Sequence, residues 1–458
     1  MKFQSLRGFR DYLPPDAATR ADLFATLRRV ARISGFEEIE TPSLESLELI
    51  KVKSGEGIVE ETFAFTDKGG REVTLVPENT PSLARIFAER AKITPLPTKW
   101  FALAKLWRYE EPQAGRLREF SQVSLDIYGV PGVEADVEIL VTTKAMLDAL
   151  GLKDRYVFRV SDRRIAEGLA GVVKAPDPAA FLRALDRSRK LSREDFDAEL
   201  EKVGLTKEAR ELLSDLMAKM SGEMSKVSGS LDAIASLEGF GKTGMDGVEN
   251  LRKLFSMGEA AGLSDVMLLD VAVVRGLAYY TSTVFEAFDR KEAKRSLFGG
   301  GRYDRLIELF GGGSIPACGV AMGDQVLELL VRESNLWPEG ARGLDVYVAS
   351  ASEDLRVSAL KWVNQLRVVG LSADRDLMGR NLTGQMKEAA RRKAVTILLL
   401  APKENSRGEV VLRNMQTGQQ TVLPAEQAEA ELLRVVSRAS EVPPAVVAPP
   451  SSGAPPPA

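Results

Sequence analysis

The chain contains no histidine, and its single cysteine among 458 residues is Cys318. These two scarcities exclude whole classes of catalytic site. A Ser-His-Asp triad, a Cys-His dyad and zinc centres built from histidine or cysteine all need residues that are missing. Any catalysis must use Arg, Lys, Asp, Glu, Tyr, Ser, Thr or bound metal ions. Because Cys318 lies in an apolar run, we predict that it fills the core and is not a nucleophile.

Paired cysteines and long apolar runs are absent as well. With one cysteine no disulfide can form within the chain, which is typical of a reducing cytoplasm. No segment approaches the ~20 consecutive apolar residues of a membrane helix. The N-terminus lacks the apolar core of a signal peptide. We therefore expect a soluble cytoplasmic protein. Its net charge of −3 does not exclude nucleic acid, because binding depends on local basic surface.

Two separated stretches, residues 1–161 and 263–335, have the pattern of a sheet with flanking helices. Apolar residues recur at helical spacing from Leu23 to Ala31 before Gly35 supplies a stop. Residues 63–71 are predicted to form a hairpin around the Gly69-Gly70 turn, with a second strand that continues through Val73 and Leu75. Residues 99–109 and 118–128 are predicted to form two strands joined by a charged loop, and residues 266–288 a strand pair that turns at Arg275. Hairpin-linked strands with flanking helices predict an antiparallel α+β sheet and not a parallel doubly wound one.

Residues 162–262 lie between these stretches and are charged, amphipathic and poor in strand patterns, so we predict a helical insertion. Its string Gly239-Phe240-Gly241-Lys242-Thr243-Gly244 matches the dinucleotide-binding pattern GxGxxG. However, the string follows a helical pattern and no βαβ unit surrounds it. A Walker-type phosphate loop is excluded because position 236 is Ser and not Gly. We therefore predict a turn between two helices.

A separate domain is predicted at residues 343–438. Its strand and helix patterns alternate in the order 344–349, 353–369, a short strand, 383–393 and 395–400, followed by a hairpin at 408–423 and a last helix. This order is typical of a compact α/β domain with a parallel core. Residues 439–458 are rich in Pro and Ala and contain no aromatic residue, so we predict that they are disordered.

The peptide from Val274 to Glu286 concentrates groups that suit a small anionic substrate. A strand-like run ends at Arg275, whose guanidinium presents a rigid fork of donors to carboxylate or phosphate. Tyr279 and Tyr280 follow, and their rings and hydroxyls can stack on or hydrogen-bond a polar ring. The alternative is a strand end whose tyrosines fill the core and whose arginine is a surface charge.

This peptide, Val-Arg-Gly-Leu-Ala-Tyr-Tyr-Thr-Ser-Thr-Val-Phe-Glu, closely resembles the one that marks histidyl-tRNA synthetases. Further segments resemble the family's motif 2, second glycine-rich peptide, motif 3 and anticodon-domain segment; they are residues 107–122, 299–305, 317–327 and 378–389. The resemblance covers nearly the whole chain except the tail. It implies a class II catalytic domain with an antiparallel sheet and a helical insertion, followed by a C-terminal anticodon-binding-like α/β domain.

The resemblance implies a two-step reaction in which histidine and ATP form histidyl-adenylate and the acyl group then passes to tRNA(His). The implied catalytic residues, which act on the α-phosphate, are Arg108 and Arg275. The implied histidine-binding residues are Glu78, Thr80 and Gln122 at the amino group and Asp126, Tyr279 and Tyr280 at the imidazole. The implied ATP-binding residues are Arg108, Arg116, Arg118, Arg275 and Arg302. The implied tRNA-binding residues are Gln113, Arg116, Arg380, Gln385 and Lys387.

The same resemblance implies ATP with Mg²⁺, histidine and tRNA(His) as ligands, with no metal held by histidine or cysteine. It also implies a homodimer formed through residues 35–43. No membrane partner is expected.

The chain departs from the family's usual residues at four positions. Val76 and Val326 stand where the family usually has arginines, and Ala278 and Ser282 replace the commoner Asp and Gly. Without the motif 3 arginine, Arg302, Arg305 or magnesium would have to supply the missing contact to ATP. These departures keep a second interpretation open, a non-catalytic regulatory subunit of ATP phosphoribosyltransferase. That relative normally lacks the anticodon-binding domain, so the α/β domain predicted at residues 343–438 favours a synthetase.

Overall fold

The computed structural model describes residues 3–54, 56–113, 115–189, 191–219, 222–274, 279–292, 296–337 and 343–440. The described residues form two compact units, one within Met1–Asp11 and Arg20–Trp337 and the other within Tyr12–Thr19 and Pro338–Ala458. Arg275 and the predicted tail beyond Ser440 lie outside the described residues.

The first unit contains one large mixed sheet and one small antiparallel sheet. Its strands are β1 Glu37–Glu38, β2 Leu44–Ser46, β3 Ala64–Thr66, β4 Glu72–Leu75, β5 Thr98–Trp107, β6 Glu119–Tyr128, β7 Tyr156–Asp162, β8 Gly222–Glu223, β9 Met267–Leu269, β10 Thr283–Asp289, β11 Ser296–Arg302 and β12 Ala317–Gly323. Among the described residues nine strands form one sheet in the order β1-β5-β6-β12-β11-β10-β7-β9-β8. Only the β1·β5 and β7·β9 pairs within it are parallel. Strands β2, β4 and β3 form a small antiparallel sheet.

Helices pack against both faces of the large sheet. The helices of this part are α1 Pro14–Ile33, α2 Leu47–Ser54, α3 Thr80–Arg90, α4 Glu134–Ala149, α5 Arg163–Val172, α6 Pro178–Arg187, α7 Arg193–Lys202, α8 Lys207–Lys219, α9 Met224–Ala235, α10 Gly241–Ala260, α11 Leu306–Leu309 and α12 Asp324–Glu333, with a 3₁₀ helix at Glu56–Glu61. Helices α4 and α10 lie on one face, and α3 and α11 pack with Tyr128 on the other. Phe158 and Phe285 of the sheet lie in one buried apolar cluster with Leu147 of α4 and Leu251 of α10. None of the helices within the described ranges is long and apolar enough to cross a membrane.

Two predicted hairpins are confirmed and one predicted strand pair is wrong. Strands β5 and β6 pair antiparallel, as do β3 and β4, whose turn is held because Asp67 Oδ1 accepts from the amides of Gly69 and Arg71. Strands β9 and β10, predicted to pair with each other, lie on opposite sides of β7 instead. Strand β7, which lies far upstream in the sequence, pairs with both of them. The local pattern of residues 266–288 contains no information about such a distant partner.

Helices α5 to α10 occupy the segment between β7 and β9, interrupted by the two-residue strand β8. The glycine-rich string of this segment lies at the start of α10, so the predicted interhelical turn is confirmed. Two glycines of α5 allow close packing against the residues just before α10: a Cβ on Gly171 would lie 2.5 Å from the carbonyl oxygen of Gly239, and one on Gly168 would lie 2.6 Å from the Phe240 ring. Helices α5 and α10 therefore approach too closely for larger residues.

The second unit is the predicted α/β domain. Its elements are β13 Val346–Ser350, α13 Arg356–Val368, β14 Ala373–Arg375, α14 Leu382–Arg391, β15 Thr396–Leu400, α15 Pro402–Asn405, β16 Glu409–Asn414, β17 Gln420–Pro424 and α16 Ala425–Ser440. The described strands follow the order β14-β13-β15-β16-β17, with parallel pairing as far as β15 and antiparallel pairing beyond it. The α+β class predicted for the chain is confirmed, and the short helix α15 was not predicted.

Candidate active site

A pocket of about 390 Å³ lies on the face of the large sheet formed by β6, β12, β11 and β10. Alternation along β6 places every second residue of that strand in it. Gln122, Ser124 and Asp126 of β6 pair directly with Gly323, Ala321 and Gly319 of β12, and all six line the pocket. Small residues on β12 thus leave room opposite polar residues on β6. The predicted site residues that the pocket brings together are Glu78, Thr80, Arg108, Arg116, Gln122, Asp126, Tyr279 and Tyr280.

The inner end of the pocket is built around the buried carboxylate of Asp126. The hydroxyl of Tyr303 donates a hydrogen bond to Asp126 Oδ1. A Cβ on Gly319 would lie 2.4 Å from the Tyr303 hydroxyl and 2.7 Å from Asp126 Oδ1, so only glycine leaves these groups in contact. Burial raises the pKa of Tyr303 well above its ordinary value, and the negative charge of Asp126 raises it further. Tyr303 therefore remains a hydrogen-bond donor.

Tyr303 is a site residue that the sequence analysis missed. It lies within the glycine-rich peptide 299–305, and the signal that could have identified it is a tyrosine directly after a run of three glycines and an arginine. Its ring centroid lies 6.1 Å from that of Tyr279 and 6.5 Å from that of Tyr280, which are themselves 4.5 Å apart. Three aromatic rings thus wall the end of the pocket that contains Asp126, as a flat polar ring would require.

The outer end of the pocket carries arginines and one carboxylate. Arg108 Nε donates to the carbonyl oxygen of Pro77 at 2.9 Å, and its guanidinium lies 5.2 Å from the centre of the Phe120 ring. Glu110 lies between two cations, 3.8 Å from Arg108 Nη1 and 3.3 Å from Arg116 Nη1. Arg116 is mostly exposed. This end suits a polyanion that displaces Glu110 from the two guanidinium groups.

The positions that depart from the family's arginines differ in exposure to the pocket. Val326 lines the pocket, with its side chain 3.6 Å from where a Cβ on Gly115 would lie. Val76 is buried, and its carbonyl oxygen accepts from the amide of Trp107. A valine at position 326 therefore gives the outer end an apolar wall where the family usually has a cation.

Arg118 and Arg302 do not line the pocket among the described residues, and their contact with ATP stays a prediction. Arg118 Nε donates to the carbonyl oxygen of Glu110, and its guanidinium covers the Tyr109 ring at 4.1 Å. Arg302 is buried: its Nε donates to Asp136 at 3.1 Å, and its Nη1 donates to the carbonyl oxygen of Val130 at 2.7 Å. Burial lowers the pKa of Arg302, but neighbouring negative groups, chiefly Asp136 and also Asp304, together raise it above its ordinary value.

The predicted tRNA contacts fall into exposed and buried groups. Gln113 and Arg116 exchange backbone hydrogen bonds in the loop between β5 and β6, where both are accessible. In the second unit, Arg380 and Lys387 are exposed. Gln385 is buried instead, where it accepts from the Ser350 amide and donates to the carbonyl oxygens of Ser350 and Arg380. Gln385 thus supports the loop that carries Arg380, and its contact with tRNA stays a prediction.

Comparison with known proteins identifies the family of this chain. The sequence profile of histidyl-tRNA synthetase matches residues 8–327, and that of the anticodon binding domain matches residues 345–434. The histidine–tRNA ligase of Thermoplasma volcanium is 36% identical over 92% of this chain and 96% of its own length.

Solved structures agree on the fold. A histidyl-tRNA synthetase from Nostoc sp. PCC 7120 superposes with a TM-score of 0.81 at 23% identity, covering 95% of this chain and 99% of its own. An ATP phosphoribosyltransferase regulatory subunit/histidyl-tRNA synthetase from Bacillus halodurans C gives 0.72 at 22% identity over 88% of this chain and 99% of its own. Since the family profile spans more than half of the sequence, this chain belongs to the histidyl-tRNA synthetase family.

Proposed function

We propose that this chain is a histidine–tRNA ligase that activates histidine with ATP and transfers it to tRNA(His). The observation that carries the proposal is the pairing, in one pocket, of a polar aromatic end and a cationic end. Asp126 with Tyr303 marks the first end, and Arg108 with Arg116 marks the second. An amino acid with a polar ring and a nucleotide triphosphate need these two ends side by side.

The first step joins two anions and needs little covalent help from the protein. The histidine carboxylate oxygen attacks the α-phosphorus of ATP, the bond to the β-phosphate oxygen breaks, and pyrophosphate leaves with that bond's electrons. Arg108, and Arg275 by its position in the signature peptide, hold the α-phosphate and neutralise charge as it builds there. Mg²⁺ enters as part of the MgATP substrate, since phosphate oxygens are its usual ligands.

Recognition of histidine divides between its two polar groups. Glu78, Thr80 and Gln122 hold the amino group, while Asp126 and Tyr303 face the imidazole between Tyr279 and Tyr280. The Asp126 carboxylate accepts from a ring N–H. The Tyr303 hydroxyl, which already donates to Asp126, fixes the direction of that acceptor. A site that buries polar groups rejects a ligand that leaves them unpaired, by as much as ~10⁴-fold.

Transfer of the acyl group requires tRNA on both units. The 2′- or 3′-hydroxyl of the terminal ribose attacks the carbonyl carbon of the adenylate and AMP leaves. Gln113 and Arg116, exposed beside the pocket, contact the acceptor end, and Arg380 and Lys387 contact the anticodon region through phosphate charges. The protein works as a cytoplasmic homodimer that pairs through residues 35–43, near the edge strand β1.

The proposal leaves Arg118, Arg302 and Gln385 out of direct substrate contact, because none of the three lines the pocket and each has hydrogen-bond partners within the protein. A regulatory subunit of ATP phosphoribosyltransferase is the alternative from sequence. The matched anticodon binding domain supports the ligase instead.

Histidine-dependent exchange of pyrophosphate into ATP tests the proposal. Purified protein is incubated with labelled pyrophosphate, MgATP and each of the twenty amino acids in turn. Exchange above background with histidine alone is the expected result. Absence of exchange with histidine would remove the ligase assignment and favour a non-catalytic histidine sensor. Exchange with a different amino acid would overturn the assignment of the imidazole pocket.

A further inference from the structure

A buried polar contact joins the helical segment to the peptide that carries the two pocket tyrosines. The side-chain amide nitrogen of Asn250, on α10, donates to Asp162 Oδ2 and to Thr283 Oγ1, each at 3.0 Å. Asp162 is the last residue of β7 and Thr283 the first of β10, and the two pair directly across the sheet. Both are fully buried. Asn250 therefore spans two neighbouring strands at the point where one ends and the other begins.

Arg164 is the main partner of the Asp162 carboxylate, and the hydrogen bond from Asn250 supports the same charge to a smaller extent. Arg164 donates to its two carboxylate oxygens at 2.9 Å and 2.6 Å, and the Arg164 amide donates to Oδ1 at 3.0 Å. The carboxylate is thus neutralised and also caps α5. What Asn250 adds is a mechanical link to Thr283, because a neutral amide with two acceptors fixes the distance between α10 and the start of β10.

Thr283 is tightly coupled to the pocket through its backbone. A Cβ on Gly301 would lie 2.5 Å from the Thr283 carbonyl oxygen and 2.9 Å from the Tyr280 ring, so strand β11 fits against both without slack. The two preceding residues are also held: the Thr281 amide donates to the Arg302 carbonyl oxygen, and the Arg163 amide donates to the Ser282 carbonyl oxygen. A shift of Thr283 must therefore move the peptide that carries Tyr279 and Tyr280 or break these contacts.

The side chain of Thr283 acts from behind the sheet. Glu286 of the same strand lines the pocket, whereas Phe285, two residues from Thr283, lies in the apolar cluster shared with α4 and α10. Because residues at a spacing of two share a face, Thr283 faces the helices and not the substrate. Any effect of its hydroxyl on catalysis is indirect.

We infer that Asn250 and Thr283 are positioning residues that set the histidine pocket from the helical segment. The amide of Asn250 holds the first residue of β10 in place, and the tight backbone contacts carry that placement to Tyr280. Affinity for histidine then depends on a residue of α10 that touches no substrate. The inference rests on the proposed function and adds to it a specific route between the helical segment and the amino-acid site.

The test compares hydroxyl deletion with hydroxyl retention at one position. Thr283→Val removes the acceptor with little change in volume, Thr283→Ser keeps it, and Asn250→Ala removes the donor from the other side. Lys253→Ala is the matched control, since it breaks an exposed ion pair with Glu249 on the same helix. Each variant is assayed for the Michaelis constants of histidine and ATP in pyrophosphate exchange, and for histidine binding by calorimetry.

We expect Thr283→Val and Asn250→Ala each to raise the Michaelis and dissociation constants of histidine about tenfold, because small misplacements of a binding group are costly. The ATP constant should stay near parental, Thr283→Ser should restore most of the affinity, and Lys253→Ala should change neither constant. Combining Thr283→Val with Asn250→Ala should add little to the change in histidine affinity of either variant alone, because both remove the Asn250–Thr283 hydrogen bond.

Outcomes that would overturn the inference are specific. Parental histidine affinity in Asn250→Ala or Thr283→Val, or equal weakening of histidine and ATP binding, would show that the Asn250–Thr283 hydrogen bond supports the fold and does not position the histidine pocket. A parental protein that neither exchanges nor binds histidine would remove the proposed function, and this inference with it. Because the parental protein is measured first, the two failures are distinguishable.

Discussion

At the scale of single residues, the arginines of the first unit show how placement decides role. Arg108 is held at the pocket by the Pro77 carbonyl oxygen and the Phe120 ring, while two of its nitrogens remain for a ligand or for Glu110. Arg302 uses its nitrogens on Asp136 and two carbonyl oxygens behind the sheet. The same side chain type thus serves the substrate in one place and the fold in the other.

We expect Arg108→Ala to abolish most pyrophosphate exchange without loss of folding. Removing one preorganised donor at a developing charge costs roughly 3 to 4 kcal/mol of transition-state stabilisation. Lys105→Ala is the matched control, because Lys105 lies on β5, three residues before Arg108, in an ion pair with Glu119 and does not line this pocket. Exchange rates and thermal melting are measured for both variants. Near-parental exchange in Arg108→Ala would show that this arginine does not act on the α-phosphate.

The opposite result is expected for Arg302→Gln. Its loss leaves Asp136 buried without its ionic partner, which costs about 3–5 kcal/mol of folding free energy. Urea unfolding of the variant and of Arg108→Ala measures the difference. A stable Arg302→Gln protein with a specific defect in ATP binding would contradict the structural role of Arg302 and restore its predicted contact with ATP.

The residue types in the site were predictable from sequence, but the face of the sheet to which each side chain points was not. Tyr303 and Arg302 are adjacent at the end of β11, and consecutive residues of an extended strand face opposite sides of the sheet. Only one of the two side chains can therefore reach the pocket, and the sequence does not indicate which one. The burial of Gln385 was unpredictable for a similar reason. A polar residue on an amphipathic helix can face solvent or hydrogen-bond to a neighbouring loop, and Gln385 does the latter.

At the scale of elements, the contact between α5 and the start of α10 carries a sharp steric condition. A Cβ on Gly171 would meet the Gly239 carbonyl oxygen at 2.5 Å. We expect Gly171→Ala to destabilise the fold by roughly 1–3 kcal/mol, the usual cost of overpacking.

Gly229 of α9 offers the matched control for this substitution, since a Cβ there would meet nothing within 4 Å. Gly229→Ala should stabilise the protein by about 0.5–1 kcal/mol through helix propensity. Both variants are compared with the parental chain by urea unfolding. Equal effects of the two alanines would mean that α5 and α10 leave room for a side chain at Gly171.

Elements defined by local patterns were predicted well, and pairings between distant segments were not. The β5/β6 hairpin has adjacent strands, so its pairing could be inferred from the segments themselves. Strand β7 separates β9 from β10, and its pairing with both depends on contacts across the whole helical segment. Tertiary packing decides such neighbours, and hydrophobic periodicity carries no information about them.

At the scale of the whole molecule, the lack of histidine predicts a simple dependence of stability on pH. No unperturbed side chain titrates between about pH 5 and 8 in such a chain. Burial raises the pKa of Asp136 and of Asp162 above the ordinary value. As pH rises past that ordinary value, the unfolded chain loses these protons first. The folded state then binds more protons, and stability falls with rising pH until the folded pKa is passed.

Carboxylates whose pKa is lowered in the folded protein affect its stability only below the range from pH 5 to 8. The hydrogen bond from Arg391 lowers the pKa of Glu388, and stability gained from such groups is lost only as pH falls below about 4. Between pH 5 and 8 we therefore expect the free energy of unfolding to stay level or to decline slightly. Urea unfolding at constant ionic strength across this range checks the expectation. A clear rise in stability from pH 5 to 8 would contradict it.

The central claim, that this chain attaches histidine to tRNA(His), is tested most directly by charging. Purified protein, MgATP and labelled histidine are incubated with a tRNA(His) transcript and, separately, with a transcript whose anticodon specifies another amino acid. We predict histidine ester-linked to the tRNA(His) transcript, dependent on ATP and abolished by Arg108→Ala. Exchange of pyrophosphate without any charging, or equal charging of the two transcripts with histidine, would contradict the claim.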